Sequence, residues 1–433
     1  MEGVVWGLSP YNTFHLYKSV IRPAVTYGSL VWWTVTNTKA AQSLCNKLQL
    51  SALRLVTGST RSCPQFALET ILKINPLHIF VTQTAAQSAA RLESAGNNLI
   101  KRSPYHGQIL TNIDNYSLYT NCSDVITPTY NFTKNFNISI PRREDYLSTN
   151  LLSLQEAENW FTDGSKTEEG TGSGIFGPQT QISIGLDHHA TVFQTEVLAI
   201  HICAEEILKK RTTGKIYNIF SDSQAALMAL QKERCTSKIV SECKLLLNQV
   251  GHNNFINIIW IPGHSGHEGN EMADELARRG SSSPVQGPLP SLPLAWSESS
   301  AAIEKWVTTL TEDYHNSKVG LTQSRSLINP SLHSKLSLAN RTNLKLFLGY
   351  LTGHHPTNYF LQKIGAVADA TCRLCGEGPE TTTHLLQRCW ALARSRAQHF
   401  GKPQLTTNDI YTSKSNVITS FIRTIESRLL TYN

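Results

Sequence analysis

The stretch of sequence that decides the fold begins at residue 159 and reads NWFTDGSKTEEGTGSGIFGPQTQISIGL. Its β-branched and aromatic residues fall into short runs at 159–163, 172–176 and 181–186, which glycine-containing turns separate. Runs of about four to eight such residues between turn signals are typical of β-strands. The stretch therefore predicts consecutive strands joined by short connections.

After this stretch the pattern alternates between helices and strands. Apolar residues at three- and four-residue spacing predict the helices, and short apolar runs between them predict the strands. The predicted helices are 194–210, 223–232, 238–250 and 268–280, and the predicted strands are 216–220 and 255–261. Early strands followed by this alternation predict an α/β fold, with a mixed sheet and helices packed against it.

Four acidic residues occupy informative places in this pattern. Asp163 and Asp222 each end a predicted strand, and ligand sites in α/β sheets open at strand ends. Glu196 and Asp274 lie on predicted helices among residues that would face the sheet. A carboxylate among packed apolar residues is costly unless it is paired or binds a cation. One such residue alone would indicate a solvated or capping side chain, but four together predict a cation site.

Phosphodiester hydrolysis by two divalent ions is the chemistry that needs such a cluster. Two Mg²⁺ ions ~3.5–4 Å apart activate a water and stabilise the leaving oxygen. Mg²⁺ prefers carboxylate oxygens, with water and substrate phosphate in its remaining positions. We therefore expect two Mg²⁺ ions, or Mn²⁺ in their place, at Asp163, Glu196, Asp222 and Asp274.

A loop of small residues precedes the last predicted helix and contains two histidines. His264 follows a Pro-Gly turn, and a histidine in such a loop suits proton transfer near neutral pH. His267 is the alternative for this role. Either histidine taken alone would indicate only a polar surface loop.

Taken together, these motifs resemble those of type 1 ribonuclease H. They are Phe-Thr-Asp163-Gly-Ser-Lys, Gln194-Thr-Glu196-Val-Leu-Ala, Phe-Ser-Asp222-Ser-Gln-Ala-Ala-Leu and Gly-His264-Ser-Gly-His-Glu-Gly-Asn270-Glu-Met-Ala-Asp274. The resemblance covers residues 157–280 and implies a five-stranded mixed sheet. It also implies endonucleolytic cleavage of the RNA strand of RNA–DNA hybrids, leaving 5′-phosphate and 3′-hydroxyl ends. By the same resemblance the four acidic residues are metal ligands and His264 assists product release.

Hybrid recognition would depend on the 2′-hydroxyl groups that distinguish RNA from DNA. The nearest matches to substrate-binding positions of the family are Gly164, Ser165, Gln194, Ser223 and Asn270. The sequence departs from some family members because it has no long basic insertion with interleaved tryptophans between Asp222 and Asp274. We therefore expect weak hybrid binding by this domain alone.

Charge is distributed unevenly along the 433 residues. Residues 156–280 hold 11 Lys/Arg and 16 Asp/Glu, a net charge of −5. Residues 1–155 hold 13 and 7, and residues 281–433 hold 15 and 9, so each flank has a net charge of +6. A nucleic acid would be attracted to these basic flanks, although such imbalances also occur on ordinary solvated surfaces.

The C-terminal flank contains a cluster with the spacing of a small zinc site. The pattern is Cys372-x2-Cys375-x8-His384-x4-Cys389. Three thiolates and one imidazole favour tetrahedral Zn²⁺, which would stabilise the fold without performing chemistry. Reduced cysteines beside a surface histidine are the alternative. The cluster resembles the C-terminal Cys-Cys-His-Cys element of non-LTR retrotransposon polyproteins.

The N-terminal flank carries a second resemblance. Leu16-Tyr-Lys-Ser-Val-Ile-Arg-Pro-Ala-Val-Thr-Tyr-Gly-Ser-Leu-Val-Trp and Lys47-Leu-Gln-Leu-Ser-Ala-Leu-Arg-Leu-Val-Thr-Gly are similar to the segment after the reverse-transcriptase palm in jockey-like non-LTR elements. A generic helical domain is the alternative. No adjacent Asp-Asp pair occurs in the sequence, so the polymerase metal site of such elements is missing. We interpret the chain as the C-terminal part of such a polyprotein.

Together these patterns predict seven segments. They are a helical reverse-transcriptase remnant at 1–100, a linker at 101–155, the ribonuclease H domain at 156–281, a Pro/Ser linker at 282–295, a helical segment at 296–365, the zinc-type module at 366–395 and a tail at 396–433.

Composition excludes several classes of protein. No run approaches the ~18–20 apolar residues of a membrane span, and nine cysteines in so long a chain do not make a disulfide scaffold. We expect an intracellular protein that binds RNA–DNA hybrids and no membrane. The sequence predicts a metal-dependent ribonuclease H without a polymerase site. The alternative is an inactive nucleic-acid-binding protein of retrotransposon origin.

Overall fold

The computed structural model describes residues 7–97, 103–114, 116, 122–142, 157–283, 285, 291–318, 322–328 and 340–431. The chain forms two compact units. We call Met1–Ala85 with Val307–Asn433 the helical unit, and Ala86–Trp306 the sheet unit. Residues 143–155 of the first predicted linker, and residues 284 and 286–290 of the second, lie outside the described residues.

The α-helices of the described residues are α1 (Pro10–Leu16), α2 (Arg22–Thr26), α3 (Ser29–Trp32), α4 (Lys39–Thr57), α5 (Gln65–Leu72), α6 (Leu77–Leu92), α7 (Pro104–Gly107), α8 (Val192–Lys209), α9 (Gln224–Gln231), α10 (Lys238–Gly251), α11 (Glu268–Ser281), α12 (Trp296–Asn316), α13 (Thr322–Leu327), α14 (Arg341–Thr352), α15 (Asn358–Lys363), α16 (Ala393–Phe400), α17 (Thr407–Thr412) and α18 (Ser415–Thr431). Within the described part of the chain, none of these helices has the length and hydropathy needed to span a membrane.

The strands found in the described residues all lie in the sheet unit. They are β1 (Val125–Tyr130), β2 (Phe136–Ser139), β3 (Glu158–Lys166), β4 (Thr171–Gly177), β5 (Thr180–Leu186), β6 (Ile216–Ser221), β7 (Arg234–Ser237) and β8 (Phe255–Trp260). Single π or 3-10 turns occur at Tyr17–Ile21, Trp33–Asn37, Glu93–Asn97, Gln108–Asn112, His384–Arg388 and Trp390–Leu392.

The main sheet is mixed and has six strands in the order β2-β8-β6-β3-β4-β5. The pairs β2–β8, β8–β6 and β6–β3 are parallel, and the pairs β3–β4 and β4–β5 are antiparallel. β1 and β7 form a separate two-stranded sheet. This architecture is the predicted α/β class, with the three early strands followed by helix–strand alternation.

The prediction of a five-stranded sheet is wrong by one strand. The sixth strand, β2, comes from the segment that the sequence analysis treated as a linker, and it pairs in parallel with β8 from Phe136 to Ser139. Phe136 is buried against the core, and Ile138 packs there more loosely. Alternation over so few residues is too short to stand out among the polar residues around it.

The two faces of β4 receive different helices because successive side chains point to opposite faces of a sheet. Ser173 hydrogen-bonds to α8 on one face, while Gly172 and Gly174 lie against α11 on the other. The core of the unit contains buried apolar residues from β3, β6 and β8 and from α8, α9 and α10. This packing places α8 and α11 near the point where the pairing of β3 with β6 ends.

The helical unit joins two distant parts of the chain. Its core combines residues of α1, α4 and α5 with residues of α14 and α18 and of the segment around Cys372. Leu53, Leu68, Phe347 and Phe421 are fully buried there. Segments 1–85 and 307–433, which the sequence analysis considered separately, thus share one core, and the individual predicted boundaries stay predictions.

Candidate active site

Two neighbouring strands bring the first two carboxylates side by side. β3 and β6 are parallel, and the last residues paired between them are Thr162 and Ser221. Asp163 and Asp222 follow directly, so the register places both at the same edge of the sheet. β3 continues to Lys166, so Asp163 does not end the strand as predicted. It marks the point where the parallel pairing ends.

The third carboxylate, Glu196, is carried by the first turns of α8. The helix begins with a capping box that uses the Gln194 side chain. Ser173 Oγ donates to the carbonyl of Thr195 at 2.7 Å, which ties the helix to β4. Gly164 permits the close approach, because a Cβ there would lie 2.7 Å from the backbone nitrogen of Glu196. These contacts place Glu196 beside Asp163.

The fourth carboxylate, Asp274, is positioned by a glycine surface. A Cβ at Gly174 would overlap the carbonyl oxygen of Ala273, and one at Gly172 would overlap that of Ala277. Glycines inside a strand often mark such a close backbone approach. The backbone of α11 therefore lies directly on β4 and carries Asp274 to the edge where the other carboxylates stand.

The carboxylates lie close enough to repel one another. The nearest oxygens of Asp163, Glu196 and Asp222 all lie within 4.8 Å of one another. Burial and the charges of Asp222 and Asp274 raise the pKa of Asp163 to about 7. Burial, with the charges of Asp163 and Asp222, also raises the pKa of Glu196 well above its ordinary value. The cluster alone therefore cannot keep every carboxylate ionised at neutral pH.

Two buried oxygens at this site accept no hydrogen bond within the described residues. They are Glu196 Oε2 and Asn270 Oδ1. A buried polar atom without a partner costs about 1–3 kcal/mol, so both are positions that a bound group would satisfy. Mg²⁺ and Mn²⁺ bind carboxylate and carbonyl oxygens. The donor set therefore fits a divalent cation.

Asp274 already has a cationic partner within the protein. Arg278 Nη2 lies 2.7 Å from Asp274 Oδ2, one turn along α11. Asp274 is not among the three residues whose oxygens group within 4.8 Å. Its charge nevertheless helps to raise the pKa values of Asp163 and Asp222, so it lies beside the other carboxylates.

The loop between β8 and α11 folds against Asp222. Trp260 Nε1 donates to the backbone carbonyl of Asp222 at 3.0 Å, and a Cβ at Gly263 would lie 2.7 Å from its carboxylate. His264 is exposed, with a left-handed φ of 51°. Burial raises the pKa of Asp222, and the nearby His264 opposes that rise. His264 thus lies beside the cluster, while His267 is the N-cap residue of α11.

The predicted substrate-binding residues differ in how available they are. Gly164 and Ser165 are half-buried in β3 beside Asp163. Gln194 is buried, and its amide closes the capping box and donates to a proline carbonyl at 2.6 Å. Ser223 caps α9, and Asn270 is buried next to Asp222. Contact of these five residues with nucleic acid stays a prediction.

Three residues that position the site were not predicted from the sequence. Ser173 ties α8 to β4, Gly174 admits α11, and Trp260 holds the backbone of Asp222. The two glycines around Ser173 were the available signal for a close helix approach. The Trp260 contact joins residues 38 positions apart and has no local signature.

A comparison with known families agrees with this geometry. Residues 155–282 match the RNase H family model. The match supports an RNase H domain in this part of the chain, and the mixed sheet with its flanking helices fits that fold. At the level of the domain, the resemblance found in the sequence is confirmed. The carboxylate cluster lies within the RNase H domain.

The predicted zinc ligands also come together, in the helical unit. The sulfur atoms of Cys372 and Cys389 lie 3.9 Å apart, and Cys375 Sγ lies 3.3 Å from His384 Nε2. All four ligand atoms lie within 4.8 Å of one another. Tetrahedral zinc with Zn–S bonds of ~2.3 Å would place its sulfur ligands ~3.8 Å apart. The arrangement fits a zinc ion.

Two buried charged residues support the backbone of this cluster. Arg396 is fully buried, and its guanidinium donates to the carbonyls of Leu385, Cys389 and Pro403. Glu380 is also fully buried and is paired with Arg373, with the closest approach at 2.7 Å. Because these partners satisfy the carbonyls and charges around it, the cluster is held in place by the protein itself.

Proposed function

We propose that the sheet unit is a type 1 ribonuclease H that cleaves the RNA strand of RNA–DNA hybrids endonucleolytically. The observation that carries the proposal is the group of Asp163, Glu196 and Asp222, with ligand oxygens within 4.8 Å, inside a segment that matches RNase H. Members of that family bind RNA–DNA hybrids. Cleavage would leave 5′-phosphate and 3′-hydroxyl ends.

Asp163, Glu196, Asp222 and Asp274 would hold two Mg²⁺ or Mn²⁺ ions. When bound, these ions supply an activated water and stabilise the leaving oxygen of the phosphodiester. The unpartnered Glu196 Oε2 supports this assignment because it is buried and lacks a protein donor. Asp274 would release Arg278 when it serves as a ligand.

His264 would assist proton transfer or product release at the edge of the cluster. It is exposed beside Asp222, whose pKa it lowers against the effect of burial. Its place in a loop of small residues leaves the ring able to approach the leaving 3′-oxygen and withdraw. His267 suits this role less well because it stands at the N-cap of α11.

We infer that the basic flanks strengthen hybrid binding, since residues 156–280 carry a net charge of −5 and each flank carries +6. We also propose that Cys372, Cys375, His384 and Cys389 hold a structural Zn²⁺, and that the chain derives from a non-LTR retrotransposon. The support for that origin is the order of the motifs along the sequence.

Cleavage of a labelled RNA–DNA hybrid tests the proposal directly. We expect the full chain to cut only the RNA strand, to require Mg²⁺ or Mn²⁺, and to leave duplex RNA and duplex DNA intact. Asp222→Asn should reduce cleavage by at least about 10³-fold, because a ligand charge is lost while the side chain keeps its shape.

Glu275→Gln is the matched control, since Glu275 is an exposed carboxylate on α11 outside the cluster. It should cleave like the unaltered protein. Hybrid binding without cleavage in either metal would favour the inactive nucleic-acid-binding protein. Equal cleavage by Asp222→Asn and the unaltered protein would show that another site performs the reaction.

A further inference from the structure

The helical unit contains a fully buried carboxylate at the centre of a hydrogen-bonded network. Glu69 on α5 is 1% exposed. Its Oε1 accepts hydrogen bonds from Gln49 at 2.6 Å and Gln65 at 2.5 Å, and its Oε2 lies 3.0 Å from His315 Nε2. Both oxygens of the Glu69 carboxylate therefore have hydrogen-bond partners.

The hydrogen-bonded network continues outward from Glu69. Gln65 donates to Asn46 Oδ1 at 3.2 Å, and Asn46 donates to the Tyr314 hydroxyl at 2.9 Å. Well-packed apolar residues usually stabilise a helical core at least as well as a buried polar network does. A network of this kind is more readily explained when its outer members contact a ligand.

The outer members of the network line a cavity of about 310 Å³. Asn46, Gln65 and Glu69 form one side, and Tyr314 and His315 form the other. Sites for small molecules span about 300–1,000 Å³, so this cavity has room for one ligand at the small end of that range.

The chemistry of the cavity favours an aromatic anion. Half-buried Phe66 lines it together with His315, and the two rings meet in a T-shaped arrangement with their centres 5.0 Å apart. The Tyr314 hydroxyl accepts a hydrogen bond from Asn46 and donates to no acceptor within the described residues, so its proton can be donated to a ligand. Burial raises the pKa of Tyr314, which keeps that proton in place. Lys318 lies on the rim, 4.3 Å from the Tyr314 ring.

Two cationic side chains lie at or near the rim: Lys318 lines the cavity, and Arg325 lies close to Phe66 without lining it. Within the described residues no carboxylate pairs with Lys318 or Arg325. The Arg325 guanidinium lies 5.4 Å from the centre of the Phe66 ring and donates to backbone carbonyls, including that of Lys318 at 3.0 Å. Glu69 lies at the buried end of the cavity, 3.0 Å from His315 Nε2, and its charge adds to burial in raising the pKa of Tyr314.

We propose that this cavity binds a nucleoside monophosphate group, either free or at the end of a nucleic-acid strand. The base would pack against the paired rings of Phe66 and His315, the Tyr314 hydroxyl would donate to the base or sugar, and Lys318 would pair with the phosphate. The choice of a nucleotide over other aromatic anions rests on the proposed nuclease function of the sheet unit. The presence of a site rests only on the helical unit.

The test is binding of nucleotides to the full chain by titration calorimetry in EDTA, where metal-dependent cleavage cannot contribute. The probes are the four ribonucleoside 5′-monophosphates, adenosine, inorganic phosphate, and a tetranucleotide with or without a 5′-phosphate. We expect the monophosphates to bind about tenfold more tightly than adenosine, as one charge-assisted contact predicts. Tighter binding of the phosphorylated tetranucleotide would assign a strand end, and tighter binding of monophosphates would assign a free nucleotide.

Lys318→Gln should weaken binding of the monophosphates about tenfold, and Tyr314→Phe should weaken it severalfold. Lys345→Gln is the matched control, since Lys345 is an exposed lysine of the helical unit outside the cavity. Unchanged binding in both cavity variants would overturn the proposal, as would phosphate binding as tightly as the nucleotides. No binding at millimolar nucleotide would also overturn it, even if the chain cleaves hybrids.

Discussion

The RNase H domain and the helical unit each contain a cluster of candidate metal ligands, and the protein groups around the two clusters differ. Burial and neighbouring carboxylates raise the pKa values of Asp163 and Glu196, and Glu196 Oε2 accepts no hydrogen bond within the described residues. The Cys372–Cys389 cluster is surrounded by protein donors, with the fully buried Arg396 bonded to the carbonyl of Cys389. The carboxylate cluster is electrostatically unfavourable without a cation. In the Cys372–Cys389 cluster, protein side chains already hydrogen-bond to the backbone carbonyls.

This difference separates chemistry from stability. A site that is repulsive by itself can bind ions and substrate phosphate together, because open ligand positions remain. A closed set of three sulfurs and one imidazole leaves no position for substrate and contributes folding free energy instead. We therefore expect the carboxylate cluster to control activity and the Cys/His cluster to control stability, and each prediction below tests that division.

The largest expected effect is the loss of a zinc ligand. Cys389→Ser should lower the free energy of unfolding of the helical unit by on the order of 5 kcal/mol, because the energy of metal binding is part of the energy of folding. Thermal unfolding with measurement of bound zinc would check this. Hybrid cleavage at a temperature where the RNase H domain stays folded should change little.

Cys45→Ser is the control for this variant, since Cys45 is a half-buried thiol of the same unit outside the cluster. It should cost less than about 1 kcal/mol. The assignment of the Cys/His cluster would be wrong if the unaltered protein contained no zinc and Cys389→Ser unfolded at the same temperature as the unaltered protein.

The carboxylate cluster should show the reverse behaviour when metal is removed. The pKa of Asp163 is raised from 3.8 to about 7 in the folded state. The folded domain therefore binds this proton more tightly than the unfolded chain does. The resulting stabilisation is full below pH 4 and is lost as the pH rises through 7, by up to about 4 kcal/mol.

Thermal unfolding in EDTA at pH 5 and pH 8 would measure this loss. Asp163→Asn should flatten the pH dependence and stabilise the metal-free domain at pH 8, and Mg²⁺ should restore the stability of the unaltered protein at that pH. Parallel pH profiles for the two proteins in EDTA would show that repulsion at Asp163 does not affect folding.

A smaller effect is expected at the surface that positions Asp274. In Gly174→Ala the new methyl group would overlap the carbonyl oxygen of Ala273, so α11 must move away from β4. We expect a loss of about 3 kcal/mol in the free energy of unfolding, together with slower cleavage, because Asp274 moves with the helix. Urea unfolding and the cleavage assay would be measured on the same samples.

Gly170→Ala is the graded control, because its nearest backbone atoms would lie 3.0 Å from the new Cβ. It should lose less stability and keep more activity than Gly174→Ala. If both substitutions left cleavage unchanged, the close approach of α11 would not be what positions Asp274.

The sequence predicted the residues of the candidate site but not the contacts that position them. Periodicity located α8 and β6 because their apolar residues repeat regularly, and motif spacing located Asp163, Glu196 and Asp222. β2 could not be found, because its pairing with β8 joins Phe136 to Ile256, far away in the sequence. Contacts between distant segments decide such pairings, and single-sequence periodicity does not contain them.

The same limit applies to the helical unit. The hydrogen bond from Asn46 to Tyr314 joins residues 268 positions apart, and the sequence around either residue gives no local signal for it. The zinc-type cluster was predictable because its four ligands lie within 18 residues, from 372 to 389. Local patterns therefore identified candidate metal sites in both units, whereas the cavity beside Glu69 became visible only in the structure.

The smallest expected effect concerns the ion pair that holds Asp274. Exposed pairs one helical turn apart contribute about 0.3–0.5 kcal/mol, and the Arg278 side chain is 61% exposed. Arg278→Ala should therefore leave stability nearly unchanged and lower the Mg²⁺ concentration for half-maximal cleavage about twofold, because Asp274 no longer has to release a cation. Arg279→Ala, at the next exposed arginine of α11, is the matched control. A higher Mg²⁺ requirement in Arg278→Ala would mean that Arg278 orients Asp274 toward the metal site. The RNase H domain would then, like the Cys/His cluster, hold a ligand in position before a cation binds.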